Sequence, residues 1–351
     1  MKRIVFCITA LVLVLVIGRS YAEDTPCNGN LSLCLRPGNA ELWAISVDPE
    51  TINVYDTNTL ELLRTHTILG NPIDIAFDLT GTYVYIVVNV PDERRACIRC
   101  YDASNFELNS ESPIAGIALR VLVHSNGFVY VTSQDPRFDG YIEKFEPVSL
   151  GLLANAGTQC WAAAKCFSPF NGFIYIGSPE EYEGDGISEP EVFSKVMIYD
   201  PTDLAVVGEL HAGLHHKKFI AVDDLLLIEN FGFASYDPGF EYLLKGLTVL
   251  NVEDETTLLD WQVYPDVLRG SCYEPTNARW YGCTFSSVES TGSQLWMICD
   301  LNSPEPIRIE EFPVNRVVSM VAFPIGPDTV RLIGIDSLNE ALWVYDADVD
   351  P

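Results

Sequence analysis

A short phrase recurs seven times along this chain: a run of mostly apolar residues ends in an aromatic or similar side chain and then in an acidic or amide residue. The closing residues of the seven copies are Asp56, Asp102, Glu146, Asp200, Asn251, Asp300 and Asp346. They lie 46, 44, 54, 51, 49 and 46 residues apart. A period of about fifty, built from short apolar runs and turn residues, is typical of a β-propeller with one four-stranded blade per repeat.

The second repeat shows the four strands of such a blade most clearly. We predict strand A at Ile73–Phe77, strand B at Tyr83–Val88, strand C at Cys97–Tyr101 and strand D at Phe106–Leu108. These segments are rich in β-branched and aromatic residues, and turns such as Asp78–Gly81 separate them. The pattern therefore predicts an all-β, seven-bladed β-propeller of four-stranded antiparallel blades.

The two ends of the repeat array are incomplete. The first repeat begins at strand B (Glu41–Ser46), and the last repeat stops at strand C (Ala341–Tyr345). Closing the ring removes exposed sheet edges, and it requires a further segment to join an end blade. We therefore expect an N-terminal strand at Leu31–Leu35 to close the ring of one domain that spans residues 23–351.

Two stretches of the array resemble a known repeat. The first runs from Ile52–Leu63 through Gly70–Tyr85, and the second is Tyr130–Ser133, with the letters YVTS. Both are similar to the YVTN repeat of the surface-layer and lactonase-like seven-bladed propellers. The resemblance implies a seven-bladed ring, but it leaves the function open, because those relatives include binding proteins, lactonases and cofactor-dependent dehydrogenase subunits.

The first 22 residues have the pattern of a secretory signal peptide. Lys2 and Arg3 precede the apolar run Ile4–Ile17, and Ser20–Ala22 places small residues at a cleavage site. The run is too short to span a bilayer comfortably, although a signal anchor is the alternative interpretation. We expect a secreted, extracellular protein, or a periplasmic one if the host is a bacterium.

The chain is strongly acidic, with 49 acidic and 21 basic residues and a formal net charge of −28. Residues 23–351 hold all 49 acidic residues and 18 of the basic ones, so their formal charge is 18 − 49 = −31. Such a field repels nucleic acid and anionic membrane surfaces, and we expect neither nucleic-acid binding nor membrane insertion. Simple solubility, or adaptation to a salty medium, explains the charge without any partner.

Nine cysteines follow the leader, and an oxidising compartment favours disulfides. The predicted local pairs are Cys27–Cys34, Cys160–Cys166 and Cys272–Cys283. A Cys97–Cys100 pair would require a bend, because residues three apart in a regular strand face opposite ways. Cys299 is left over as a buried thiol. Asn30 begins the one glycosylation sequon, which matters only in a eukaryotic host.

Three unusual stretches fall on connections that a propeller places on one face, between strands B and C or between strands D and A. The connection of blade four, residues 177–194, is the longest and carries Glu180, Glu181 and Asp185. The connection of blade five, residues 231–242, carries Phe231, Phe233, Tyr236 and Phe240. The turn between these blades carries His211, His215, His216, Lys217 and Lys218. Long loops on a rigid scaffold are common binding sites.

Each stretch has a functional and a structural interpretation. The acidic residues of 180–191 could hold Ca²⁺, although their spacing matches no known calcium loop and a solvated insert explains them as well. The aromatic rings could stack on a sugar or a hydrophobic partner, or could pack against their own blade. The His/Lys stretch favours an electropositive spot near the channel mouth, shared with Arg94 and Arg95, over a zinc or copper site, because the lysines repel a cation.

No catalytic motif accompanies these loops: the sequence lacks a nucleophile elbow, a phosphate loop and a zinc-protease helix. We therefore predict a binding module, with no resident cofactor, for an extracellular protein or glycan. The alternative is a lactonase-like or other hydrolytic propeller with its site at the channel mouth. Its candidate residues would be His211, His215, Arg94 and an acid of the 180–191 loop.

Overall fold

The structure, a computed structural model, describes most of the chain after Leu31. The described residues are 32–38, 40–46, 49–90, 95–135, 140–158, 164–168, 170–177, 195–212, 216–230, 245–262, 266–286, 293–312, 317–336 and 341–348. Within these ranges all extended regular structure is β-strand, and no helix there is long and apolar enough to cross a membrane.

The strands are numbered in chain order and grouped by blade. Blade one contains β1 (Leu33–Leu35), β2 (Glu41–Ser46), β3 (Thr51–Asp56) and β4 (Leu62–Thr67). Blade two contains β5 (Asn71–Phe77), β6 (Tyr83–Val90), β7 (Arg95–Asp102) and β8 (Leu108–Ile114). Blade three contains β9 (Ile117–Val123), β10 (Val129–Gln134), β11 (Gly140–Phe145) and β12 (Leu152–Gly157). Blade four contains β13 (Ala164–Phe167), β14 (Ile174–Gly177), β15 (Lys195–Tyr199) and β16 (Val206–His211).

The remaining strands form three more blades. Blade five contains β17 (His216–Val222), β18 (Leu225–Asn230), β19 (Lys245–Asn251) and β20 (Thr257–Gln262). Blade six contains β21 (Asp266–Glu274), β22 (Arg279–Ser286), β23 (Ser293–Ile298) and β24 (Ile307–Phe312). Blade seven contains β25 (Val317–Pro324), β26 (Thr329–Asp336) and β27 (Ala341–Asp348). Each sheet pairs its strands in chain order and antiparallel; we call them A, B, C and D from first to last, and blade seven has A, B and C among the described residues.

The strand A elements lie at the centre of the ring, where those of neighbouring blades contact one another, and β1 contacts both β5 and β25. The seven-bladed prediction is confirmed. The predicted N-terminal strand is also confirmed, since β1 supplies strand A of blade one. Blade seven has three strands among the described residues, as the missing strand D in its repeat predicted.

The buried apolar side chains of the described residues form seven clusters, one at each contact between neighbouring blades. The cluster that closes the ring joins Leu42 and Tyr55 of blade one to Ile333 and Val344 of blade seven. In the six blades with a described strand D, this strand is the outer edge of the sheet, and in blade one, at Leu62–Thr67, it is largely exposed. The blades are therefore held together by apolar packing from side to side.

The recurring phrase has a structural cause in the turn between strands C and D. The closing carboxylate or amide oxygen accepts a hydrogen bond from a backbone N–H two residues later at Asp56, Asp102, Asp200, Asn251 and Asp300. The residue four positions after the closing one has a positive φ at Leu60, Phe106, Leu150, Leu204 and Glu255. Asp and Asn favour such turns because their side chains bond the local backbone. Since Phe106 belongs to this turn, the prediction that it begins strand D was wrong: β8 begins at Leu108.

The cysteines depart from the predicted disulfide map. Cys272 and Cys283 are both buried free thiols, because Cys272 lies opposite Tyr281 and Cys283 opposite Gly270, on a diagonal of the ladder. Neither Cys97 nor Cys100 forms a disulfide, and the two lie in clusters on opposite faces of blade two, as the strand argument predicted. The remaining described thiols are also free and are those of Cys34, Cys166 and Cys299. Cys27, Cys160 and the sequon at Asn30 lie outside the described residues.

Candidate functional site

Seven equivalent positions, one in each blade, lie at one level around the centre of the ring, on or next to the A strands. These positions are found from the strand pairing, starting from the strand C residue four positions before the closing residue of each blade. That residue pairs with a residue of strand B. The strand B residue pairs in turn with a residue of strand A, which is the position sought. The positions found in this way are Ser32, Asp74, Arg120, Ala164, Lys218, Ser271 and Ser319. We name them the channel ring. Six of the seven residues are polar, in strands that are otherwise mostly apolar.

The backbone beside the channel ring is irregular. The pairing between strands A and B shifts by one residue close to the ring in β5, β9, β17, β21 and β25. Such bulges re-aim neighbouring side chains and often occur next to binding sites. At each bulge, the side chains of the strand no longer alternate regularly between the two faces of the sheet.

Asp74 is the most connected member of the channel ring. Its Oδ1 accepts a hydrogen bond from the hydroxyl of Ser32 at 3.2 Å, and its Oδ2 accepts one from the backbone N–H of Val121 at 2.9 Å. The ammonium of Lys165, in blade four, lies 3.4 Å from the same Oδ2. Lys165 therefore reaches past blade three into the centre of the ring to meet a carboxylate of blade two.

The electrostatics follow from burial and this pairing. Burial alone would raise the pKa of Asp74, but Lys165 and Arg120 outweigh it and hold the pKa below its usual value. Burial lowers the pKa of Lys165, and Asp74 opposes that shift. Burial, with Asp74 nearby, raises the pKa of Cys34 to about 12, so this thiol stays protonated at neutral pH.

The other side of the channel ring contains a second cation. The ammonium of Lys218, in blade five, donates a hydrogen bond to the backbone oxygen of Ser271 in blade six at 2.5 Å. Ser319 of blade seven accepts a hydrogen bond from the backbone N–H of Leu33 in blade one at 3.4 Å. The ring is therefore both a polar lining and a set of links between blades.

His216 lies between the starting points of the two longest connections in the chain. On one side, its ring packs against Gly177, where strand B of blade four ends and connection 178–194 begins. On the other side, it pairs with Asn230, where connection 231–244 begins. His216 is 2% exposed, and its Nε2 donates a hydrogen bond to the backbone oxygen of Ala212 at 2.5 Å.

Gly177 has no room for a side chain. A Cβ at this position would lie 2.4 Å from Cζ of Phe219 and 2.8 Å from Cβ of His216. Blades four and five therefore pack tightly here, at the edge of the sheets where both long connections begin.

The predicted His/Lys cluster separates into different environments. His211 ends the outermost strand of blade four, is half exposed and lies 3.5 Å from Glu209. Lys217 forms an ion pair with the buried Glu229 at 3.4 Å, and Lys218 faces Ser271 in the channel. His211 ends an outermost strand and His216 begins an innermost one, so the described members of this stretch lie in different surroundings. That they bind a partner stays a prediction.

The other predicted site residues lie outside the described ranges: His215, Glu180, Glu181, Asp185, Phe231, Phe233, Tyr236, Phe240 and Arg94. Arg95 begins β7, but its side chain is not described. Calcium binding by residues 180–191 stays a prediction. Within the described ranges, no group of three or more His, Cys, Asp or Glu side chains is arranged to hold a metal ion.

Sequence reasoning missed the channel ring. Its signal was present, since Asp74 and Arg120 interrupt apolar runs three residues before the last residue of their A strands. Reading the seven repeats together, with the closing residues aligned, would have placed both side chains in the channel.

These features define a seven-bladed β-propeller, and solved structures share that fold. The chain is similar to Kuenenia stuttgartiensis hydrazine synthase, with 11% identity, a TM-score of 0.69, and coverage of 94% of this chain and 100% of that one. It is similar to a chain of the mitotic checkpoint complex, with 10% identity, a TM-score of 0.66, and coverage of 94% of each chain. It also resembles the β-propeller domain of Myceliophteria thermophila Cps50 (Swd1), with 8% identity, a TM-score of 0.65, and coverage of 90% of this chain and 96% of that one.

At these identities the likeness shows the fold alone. No protein-family model and no curated protein matches the chain. The YVTN or lactonase-like subtype therefore stays a prediction.

Proposed function

We propose that this protein is a secreted interaction module that binds an extracellular partner through the face of blades four and five. The observation that carries the proposal is the position of His216, with connection 178–194 starting on one side and connection 231–244 on the other. The two longest connections thus start from adjacent points on a rigid scaffold, a usual arrangement for a recognition surface.

Charge favours a protein over a glycan as the partner. Connection 178–194 contributes Glu180, Glu181 and Asp185, within a chain of formal charge −28. Carboxylates on a rim attract a basic protein surface and accelerate its association. Connection 231–244 contributes Phe231, Phe233, Tyr236 and Phe240, and such aromatic residues are enriched in the cores of protein interfaces.

The test uses two variants of this face. In one, residues 179–192 are replaced by a short Gly/Ser linker; in the other, Phe233 and Tyr236 are both changed to alanine. Each is assayed by biolayer interferometry against a panel of purified extracellular proteins and against a glycan array. The matched control is Phe170→Ala, which removes a 52% exposed ring from a turn between strands A and B, on the opposite face.

We expect the wild-type chain and Phe170→Ala to capture the same protein, with affinity that falls as salt rises. Both rim variants should lose this capture while keeping the wild-type near-ultraviolet circular dichroism. Capture that survives in both variants would refute the assignment to this face. Capture of glycans alone would refute the protein partner.

A further inference from the structure

We propose that a surface of tryptophan and polar side chains between blades five and six binds a pyranose ring of a neutral oligosaccharide. Trp261, on the outermost strand β20 of blade five, and Trp296, on β23 of blade six, form its centre. We define the tryptophan patch as Trp261, Trp296, Gln294, Arg308 and Glu311. The patch shares no residue with the proposed partner surface of blades four and five, so either proposal can fail while the other stands.

The aromatic rings of the patch are held in place by their neighbours. The ring centroids of Trp261 and Trp296 lie 4.9 Å apart at an interplanar angle of 65°, and those of Trp261 and Trp280 lie 6.2 Å apart at 90°. Trp280 is 0% exposed and supports the other two rings, which are only partly buried. The Nε1–H of Trp296 donates a hydrogen bond to the hydroxyl of Thr284 at 3.1 Å, which fixes the plane of this indole. Ring faces that are oriented before a ligand arrives lose little entropy when they bind it.

The strand register places polar side chains beside Trp296 on the same face of blade six. Trp296 pairs directly with Arg308 of the outermost strand β24, and Gln294 pairs with Glu311. Directly paired residues of an antiparallel ladder share one face, and so do residues two apart in a strand. All four side chains therefore belong to the face on which Trp296 packs against blade five. The Arg308 and Glu311 side chains are 46% and 50% exposed, so both can reach a ligand on the rings.

The charge and chemistry of the patch favour an uncharged sugar over a basic peptide. Arg308 forms an ion pair with Glu311, so the two charges of the patch compensate each other within a chain of formal charge −28. A basic peptide is attracted more strongly to the acidic remainder of the surface. A pyranose ring has an apolar C–H face that packs on the electron-rich face of an indole, and its hydroxyls both donate and accept hydrogen bonds. The Arg308 guanidinium donates such bonds, the Glu311 carboxylate accepts them and the Gln294 amide does both.

Isothermal titration calorimetry on the full chain tests the site at low and at physiological salt. The probes are cellopentaose, xylopentaose, mannopentaose and chitopentaose, and a hexa-arginine peptide forms a separate arm. The key variants are Trp261→Ala, its conservative counterpart Trp261→Phe, and a double variant that changes Arg308 and Glu311 to alanine. The matched control is Phe170→Ala, which removes a 52% exposed ring from blade four.

We expect saturable binding of at least one oligosaccharide, with an affinity that changes little with salt because the ligand is uncharged. Trp261→Ala and the double variant should each weaken binding roughly tenfold or more, because one removes an aromatic contact surface and the other removes hydrogen bonds to charged groups. Trp261→Phe should retain most of the affinity and Phe170→Ala all of it. If Trp261→Ala does not fold, the double variant, whose two residues are exposed, decides the question. Absence of saturable binding of any oligosaccharide, binding of the arginine peptide alone, or an affinity that the double variant changes no more than Phe170→Ala does would overturn the proposal.

Discussion

Replacing Glu41 with glutamine would test how much the Glu41 carboxylate stabilises the contact between blade one and blade two. Glu41 is 8% exposed and accepts two hydrogen bonds from the guanidinium of Arg64, both at 2.8 Å. It also accepts hydrogen bonds from Arg36 at 3.0 Å and from the indole of Trp43 at 3.1 Å. Arg36 and Arg64 both donate to the backbone oxygen of Ala103 in blade two. The carboxylate thus orients the two arginines that bridge the blades.

The expected magnitude follows from the protonation of Glu41. Burial alone would raise the pKa of Glu41, but the hydrogen bonds from Arg64, Trp43 and Arg36 lower it from 4.5 to about 2. At about 1.4 kcal/mol for each tenfold change in proton affinity, this difference corresponds to at most about 3 kcal/mol of folding free energy. Glutamine keeps the shape but not the charge, so we expect Glu41→Gln to cost about 2–3 kcal/mol at neutral pH.

The sign of the pH dependence separates this mechanism from a simple packing loss. Because the folded-state pKa of Glu41 is depressed, its contribution is complete above about pH 4.5 and is lost as the pH falls towards about 2. The difference in unfolding free energy between the wild type and Glu41→Gln should therefore be largest near neutrality and should shrink across that window.

Urea unfolding followed by tryptophan fluorescence, between pH 7 and the lowest pH at which the wild type folds, measures this difference. The control is Glu61→Gln, an exposed carboxylate of the same blade, which should cost little at any pH. A cost of Glu41→Gln that stays constant from neutral to acid pH would refute the electrostatic reasoning. If Glu41→Gln lowers the free energy of unfolding at neutral pH by less than Glu61→Gln does, Glu41 does not stabilise the contact between blades one and two.

Two other expected outcomes concern tight packing and buried thiols. Gly177→Ala should lower the free energy of unfolding by about 1–3 kcal/mol, because the added Cβ would collide with a neighbouring ring. The control Gly157→Ala adds a Cβ that meets no close neighbour, so it should lower that free energy much less in the same urea assay. Equal losses of unfolding free energy in the two variants would contradict the packing argument. Cys272 and Cys283 should react with a thiol reagent at pH 8 only after the protein unfolds. The reason is that burial raises the pKa of both thiols, that of Cys272 to about 12. Rapid labelling of the native protein, or an intact disulfide in its mass spectrum, would contradict the structure.

Much of the fold could be predicted from the sequence because the repeated signal lies where the chain must turn. A closing residue such as Asp102 accepts a hydrogen bond from the backbone of the next turn, and in the five blades with this bond the residue is Asp or Asn. The same turn explains the misplaced strand D: Phe106 has strand-like chemistry, but its positive φ of 59° belongs to the turn. Side-chain type alone does not reveal that constraint.

The candidate site was less predictable, for a geometric reason. His211 and His216 are close in sequence, yet one ends an outermost strand and the other begins an innermost strand. Conversely, Asp74 and Lys165 are far apart in sequence but form an ion pair across the channel. Proximity along the chain predicts contacts within a hairpin, but contacts across the channel depend on how the ring closes, which no local pattern encodes.

Among the described residues, each blade takes its strands from one continuous stretch of sequence, including blade one, which takes its central strand from Leu33–Leu35. No sheet of the described residues combines strands from the two ends of the chain, so the described strand pairing is local in sequence. Contacts of low sequence separation form quickly, and units of this kind can order one after another during synthesis. The described strands of blade one therefore pair without any contribution from the C-terminal end of the chain, and the ring is closed by side-chain packing of blade seven against blade one.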